Sequence, residues 1–283
     1  MRQRQRRATW IVGMALTGLM VIAGCGGTST PSSTSATTSH PASTSSSSTS
    51  SSMPTSTPST AGSQGSTLAR LPIVQCQTSF AVTPSPTTVP IPTSATVRVP
   101  AGEAANLVVY SDDAGIMMLI GPATWTCHGM YGADGSGGLL IAPAGESVPS
   151  DPDTGWQLPA SSSDEAIVGY ETGGSTVQGA ALACSLFPEA ATATRQDLGR
   201  GCAVTRPAQE TFAGTSASEV GFEDPAGVAG NGIPSGGQNP ANGVMLYLPA
   251  RGKASAYLAT CTLPDSQHDV CTAVLNHFVA LYG

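Results

Sequence analysis

Residues 107–142 read LVVYSDDAGIMMLIGPATWTCHGMYGADGSGGLLIA, and this stretch decides the fold. It holds four short apolar runs, at 107–110, 117–120, 124–131 and 139–142, separated by Asp, Gly and Pro. Runs of that length, rich in Val, Ile and aromatic residues and broken by turn formers, read as successive strands. The connection Ala133-Asp134-Gly135-Ser136 reads as a tight turn between two of them.

The pattern extends in both directions. Residues 95–99 alternate as a strand does, and 218–222, 244–248 and 256–262 return to strand character. Between these, Val177, Ala180, Ala181, Cys184 and Phe187 recur at helical spacing, with Ser175 placed to cap and Pro188 to stop the helix. At the carboxyl end Ser266 and Asp269 have the spacing of a capping box with the shorter acid. Val270, Val274, Phe278 and Leu281 follow on one helical face, with Leu275 at its margin. The expected fold is therefore α+β: a largely antiparallel sheet with two helices packed on one side, stapled by disulfides. Residues 68–283 provide roughly 215 positions, enough for one globular domain with a substantial core.

The chain has 7 cysteines. Cys25 stands apart, which leaves Cys76, Cys127, Cys184, Cys202, Cys261 and Cys271. An even six in an exported chain reads as three disulfides. The pairs 184/202 and 261/271 are close in sequence and each straddles a turn, so the preferred pairing is Cys76 with Cys127, Cys184 with Cys202, and Cys261 with Cys271. The last bridge would pin the first turn of the terminal helix to the strand before it. The spacing of Cys261, His268 and Cys271 also allows a zinc site, but exported thiols at such spacing are more often oxidised. No metal or cofactor is expected.

Export is read from the amino terminus. Arg2, Arg4, Arg6 and Arg7 form a basic region, residues 10–23 an apolar one, and small residues precede Cys25, which is the anatomy of a secretory signal. The apolar stretch of about fourteen residues is short of the roughly 20 a spanning helix needs. Ile22-Ala23-Gly24-Cys25 resembles the lipobox of bacterial lipoproteins. That resemblance implies cleavage after residue 24, a diacylglyceryl thioether on Cys25 and a further acyl chain on its amino group. The protein would then sit on the cell membrane, anchored by lipid at its extracytoplasmic face. Arg6-Arg7 hints at twin-arginine export, although Thr9 stands where that signal has an apolar residue, which favours the general secretory route. From position 26 to about 67 the chain is almost entirely Ser, Thr, Pro, Ala and Gly, a composition that cannot bury enough apolar surface to offset its conformational entropy. It reads as a disordered spacer, with or without O-linked sugar. The overall plan of signal (1–24), lipidated Cys and spacer (25–67) and globular part resembles exported lipoproteins of the actinobacterial type.

Charge narrows the partners. The precursor carries 11 Lys+Arg against 18 Asp+Glu; four arginines leave with the signal, so the mature chain has 7 against 18, a balance of -11. A field of that sign repels phosphate backbones, which excludes nucleic acid as an expected partner.

Several motifs invite chemistry. Asp134-Gly135-Ser136-Gly137-Gly138 resembles the nucleophile segment of trypsin-like serine proteases, with Asp134 and Gly135 transposed and no histidine in a suitable preceding segment. His128 lies only eight residues away, so a glycine-rich turn is the expected account. Asp151, Asp153 and Gly155 suggest a calcium loop, yet Ser162 occupies the place of its bidentate acid. Gly230, Gly232 and Ser235 fall in a Gly/Pro/Asn-rich segment, 224–243, where Pro234 and Pro240 argue against the helix that a phosphate-binding loop requires. That segment is instead a candidate binding loop. Trp125 and Trp156 could stack on a glycan, although Trp125 beside Cys127 suits core packing against a disulfide. His40, His128, His268 and His277 form no cluster.

Two function classes follow. The leading one is a non-enzymatic envelope lipoprotein, a binding or accessory module whose ligand is an envelope protein or a glycan. The alternative is an anchored hydrolase whose carboxylates, among Asp112, Asp113, Asp134 and Glu165, converge only in three dimensions.

Overall fold

One long strand, β1 (Ser66–Phe80), organises the sheet of the computed structural model, which describes residues 65–81, 90–146, 165–173, 176–231, 237–249 and 255–283. Its first half pairs antiparallel with β2 (Ser94–Pro100). Residues 73–76 then pair in parallel with β3 (Leu107–Asp112), and residues 77–80 in parallel with β5 (Thr126–Tyr131). Pro72 ends the β2 ladder opposite Ser94, a place where a missing N–H breaks no central bond. The remaining strands are β4 (Met118–Pro122), β6 (Gly137–Ala142), β7 (Ala166–Glu171), β8 (Thr211–Thr215), β9 (Glu219–Asp224), β10 (Ala241–Tyr247) and β11 (Ala256–Thr262). Together they form a sheet of order β4-β3-β1-β5-β6-β7-β11-β10-β9-β8, with β2 branching from β1. Every pairing except β1–β3 and β1–β5 is antiparallel. Among the described residues the sheet dominates, and three helices accompany it: α1 (Thr176–Ala183), α2 (Pro188–Leu198) and α3 (His268–Tyr282).

The helices do not share one side of the sheet, contrary to the expectation. All seven residues of β10 are buried, and strand periodicity sends alternate side chains to opposite faces. Val244 and Leu246 enter the cluster that contains Val270, Val274 and Phe278 of α3. Met245 and Tyr247 enter the cluster of Ala180, Ala183, Phe187 and Ala190, from α1, α2 and the corner between them. A strand that is apolar on both faces needs cover on both, and each large side chain so buried contributes about 1.5–3 kcal/mol. The β3–β4 hairpin joins α3 on its face, where Gly169 of β7 leaves room for Met117 and Leu119.

Helix boundaries also differ from the sequence pattern. Pro188 follows the end of α1 but opens α2, where it stands in the first turn; its fixed φ and lack of an N–H suit that position. Gly199 closes α2 in the left-handed conformation, φ 65°, as a C-terminal glycine does. At the carboxyl end Asp265–Gln267 form a 3-10 turn, and Gln267 precedes α3 without a side-chain cap, so Ser266 and Asp269 make no capping box. The buried face runs through Val270, Cys271, Val274 and Phe278, while Leu281 is 46% exposed. Cys271 on this face is tied to β11 by its disulfide, and Tyr282 rather than Leu281 packs against the core.

Three disulfides join Cys76 to Cys127, Cys184 to Cys202 and Cys261 to Cys271, with Cα–Cα distances of 5.3, 5.3 and 5.5 Å. They tie β1 to β5, α1 to the segment after α2, and β11 to α3. Among the described residues, no helix is long and apolar enough to cross a membrane.

Candidate functional site

The glycine-rich motif forms the turn between β5 and β6. Gly132 N–H donates to Ser136 O at 2.8 Å, and Gly135 takes φ 81°. The Ser136 hydroxyl donates to Gln178 Oε1 at 2.6 Å, with Asp134 Oδ2 at 3.2 Å. These contacts tie the turn to α1. His128 points elsewhere, with Nε2 lying 3.1 Å from Ser79 Oγ across the β1–β5 pair. Burial lowers its pKa.

The four acids of the hydrolase reading occupy four separate places. Asp112 ends β3, Asp113 begins the β3–β4 turn, Asp134 sits in the β5–β6 turn and Glu165 precedes β7. Asp112 is fully buried. Its Oδ1 accepts the N–H groups of Ala114 and Ile116 at 2.8 and 3.1 Å, and its Oδ2 accepts those of Met117 at 2.5 Å and the Tyr131 hydroxyl at 3.2 Å. The carboxylate thus holds the β3–β4 turn. Tyr282 reaches the same turn from α3, accepting Met118 N–H at 2.8 Å and donating to Ile116 O at 3.2 Å.

The acid electrostatically coupled to Asp112 is Glu171, absent from the sequence candidates. Burial first and the Asp112 charge second push its pKa up to about 7. Its signal was the alternation of β7: Ile167, Gly169 and Glu171 share the inward face, so an acid follows two core positions. Burial also raises Asp112, against the opposing effect of its N–H donors.

These shifts set a pH dependence. A carboxyl raised from an ordinary 4.5 to about 7 keeps its proton in the folded state where the unfolded chain has lost it. The stability this contributes is complete below about 4.5 and is lost as pH rises through about 7. At ~1.4 kcal/mol per pH unit the loss approaches about 3 kcal/mol, reduced toward ~2 by the partial exposure of Glu171. Urea unfolding at pH 5 and pH 8 should show that loss in the wild type and a slope smaller by that amount in Glu171→Gln. An unchanged slope in the variant would show that the proton resides elsewhere.

A second constellation lies at the other end of the sheet. Between the α1–α2 corner and the β8–β9 hairpin runs an open groove of about 410 Å³, whose lining includes Leu186, Phe187, Phe212 and Val220. Two charged residues, Arg206 and Glu189, also line it. The Arg206 guanidinium stacks on Phe212, 3.7 Å from the ring centroid, and its Nε lies 3.3 Å from Glu210 Oε2. Glu210 and Asp224 are buried behind it, 5% and 1% exposed. Asn231 Nδ2 donates to Glu210 Oε1 at 2.6 Å, and Ser185 donates to Asn231 Oδ1. A Cβ at Gly230 would overlap the Asp224 carboxylate, so this segment crosses the acid at close range. The candidate loop at 224–243 thus has its base anchored beside the groove. Arg206 and Glu210 stand four apart in one segment, a common spacing that by itself marks no site, and Asp224 joins them only through the fold.

Trp125 is partly buried against the main core, as the packing reading expects. Cys261 and Cys271 are committed to their disulfide, which removes the thiols of the zinc reading. Cys25, Asp151, Asp153, Gly155, Trp156, Ser162, Ser175, Gly232 and Ser235 lie outside the described residues. No family model matches the chain, and comparison with curated proteins and with solved structures gives no match.

Proposed function

We propose that this protein is a lipid-anchored envelope lipoprotein whose globular part is a binding module, displayed on a Ser/Thr/Pro-rich spacer at the extracytoplasmic face. Its ligand site is the groove beside β8, and its ligand is a small amphipathic molecule with an apolar body and an anionic end. The groove carries this reading. Its volume of about 410 Å³ falls in the range of small-molecule sites, which are mostly apolar with a few placed polar groups. Phe187, Phe212 and Val220 suit the apolar body. Arg206, with its Nε turned to Glu210, has terminal nitrogens left for an anion.

The neutral fluorophore N-phenyl-1-naphthylamine tests the groove directly. It should bind the unacylated mature chain saturably, and Phe212→Ala should weaken it by about tenfold, the equivalent of ~1.4 kcal/mol of lost contact. Binding unaffected by Phe212→Ala would move the site elsewhere. The anchor is tested separately through the lipobox resemblance. Cys25→Ser should lose metabolic acyl labelling and leave the membrane fraction or remain as uncleaved precursor; labelling equal to wild type would sink the lipoprotein assignment.

The hydrolase reading keeps one supporting observation, a glutamate poised near neutrality beside a second acid, as general acid–base catalysts are. Glu171→Gln decides it, since a hydrolase working through Glu171 loses its turnover in that variant and a hydrolase that keeps its turnover works elsewhere.

A further inference from the structure

Behind Arg206, the one arginine among the described residues that line the groove, stand two acids withdrawn from water. Glu210 and Asp224 come from different segments, the turn before β8 and the end of β9, and meet where the 224–231 segment folds back. The Asp224 charge acts on Glu210, and two buried carboxylates that act on each other cannot both be ionised at low cost. Burial, with the Asp224 charge adding to it, raises the Glu210 pKa, while the Asn231 amide opposes the shift. As pH rises and Glu210 loses its proton, negative charge is added behind Arg206. Among the described residues, the charged groups facing this centre are Arg206 on the same segment as Glu210, Asp224 from β9, and Glu189 of α2 among the groove residues.

We propose that the Glu210–Asp224 pair, acting through Arg206, makes the groove bind anionic amphiphiles more tightly in acid than at alkaline pH. With a proton shared by the pair, Arg206 meets a single negative charge and retains attraction for a ligand anion. Once the proton leaves, the second charge repels the anion and holds the guanidinium toward Glu210. The apolar part of the site is untouched, so a neutral ligand of the same shape is indifferent to the change. This inference rests on the groove being the ligand site.

Two probes with one aromatic skeleton separate the two claims. N-phenyl-1-naphthylamine is neutral from pH 5 to pH 8, and 8-anilinonaphthalene-1-sulfonate is an anion throughout. In the unacylated mature chain the neutral probe should bind equally at both pH values, and the sulfonate about fivefold more tightly at pH 5, the size expected of one added charge at this distance in a partly screened site. Glu210→Gln keeps the acceptor for Asn231 and can donate to Asp224, so it should bind the sulfonate at pH 8 as the wild type does at pH 5. Asp224→Asn should behave the same way, and Glu189→Gln should retain the wild-type pH dependence. Neutral-probe binding with a sulfonate affinity that ignores pH, or a fivefold change that persists in both pair variants or vanishes in Glu189→Gln, overturns the proposal alone. Failure of the neutral probe to bind at either pH removes the groove reading and the proposal with it.

Discussion

Replacing Cys76 and Cys127 together with alanine should lower the unfolding free energy by about 4 kcal/mol, the largest loss among the three bridges. The bridge closes a loop of 51 residues, against 18 for Cys184–Cys202 and 10 for Cys261–Cys271. On the chain-entropy account the loss grows with the logarithm of loop length, which gives ~3 kcal/mol for the two shorter loops. Topology adds to the difference. Local turns join β3 to β4, β5 to β6 and β8 to β9, whereas β1 and β5 run parallel and are 46 residues apart from the end of one to the start of the other. The bridge beside Gln77↔His128 is the covalent link that fixes their register, supported by the Ser79–His128 contact and the stacked rings of Phe80 and Tyr131. Loss of sulfur from the core is comparable for Cys76 and Cys261, 3% and 0% exposed, so cavity formation does not reverse the order. Urea unfolding of the three double-alanine proteins measures it. A smaller loss for 76/127 than for either other pair would show that native-state packing, not loop closure, sets the contribution of these bonds.

The strands legible in the sequence are those that a single hairpin partner and a buried face make regular. β3, β4, β5 and β6 are apolar runs closed by Asp, Gly or Pro, and each pairs with a neighbour next to it in the chain. β1 escapes the same reading for a physical reason. It changes partner twice along its length, contains Pro72, and shows a burial pattern that no period of 2 describes. β8 escapes because it is short, lies at the sheet edge and is broken by a bulge at Gly214, φ 62°. α2 buries only Ala190 and Thr194, too little apolar surface to mark a helical stripe. The placement of helices on both faces was present in β10, whose run of seven buried residues implies two cores.

The candidate site divides along the same line. Glu171 is local information, a charged residue at an inward position of a strand, and only the unrecognised strand hid it. The groove is non-local. Arg206, Phe212, Glu210 and Asp224 acquire meaning only when β8 and β9 pair and the α1–α2 corner packs over them. Within one segment only the four-residue spacing of Arg206 and Glu210 is visible, and it does not encode that arrangement.

Gly138→Ala should cost about 3 kcal/mol or more, enough to threaten folding of a domain of ordinary stability. β6 is an interior strand, paired to β5 on one side and β7 on the other. A Cβ at 138 would overlap the carbonyl of Gly169 and lie 2.9 Å from Tyr170 Cα, both backbone atoms of β7. At Gly137 the same addition would meet β5, overlapping Met130 O and falling 2.7 Å from Tyr131 Cα. A flexible side chain could swing away, but a paired strand can retreat only by breaking its ladder. The adjacent glycines therefore belong to sheet packing on two sides, which accounts for the protease-like Ser-Gly-Gly spacing without an oxyanion hole. Gly201 is the matched control, with nothing within 4 Å of its added Cβ and no positive φ. Alanine there should be neutral or stabilising by up to ~1 kcal/mol, because it narrows the unfolded ensemble without touching the native one. Urea unfolding of the two variants at one pH gives the comparison. If Gly138→Ala unfolds within about 0.5 kcal/mol of wild type, close packing of β6 between its neighbours is not what requires glycine there, and the pair Gly137-Gly138 regains its standing as a source of free amides beside Ser136.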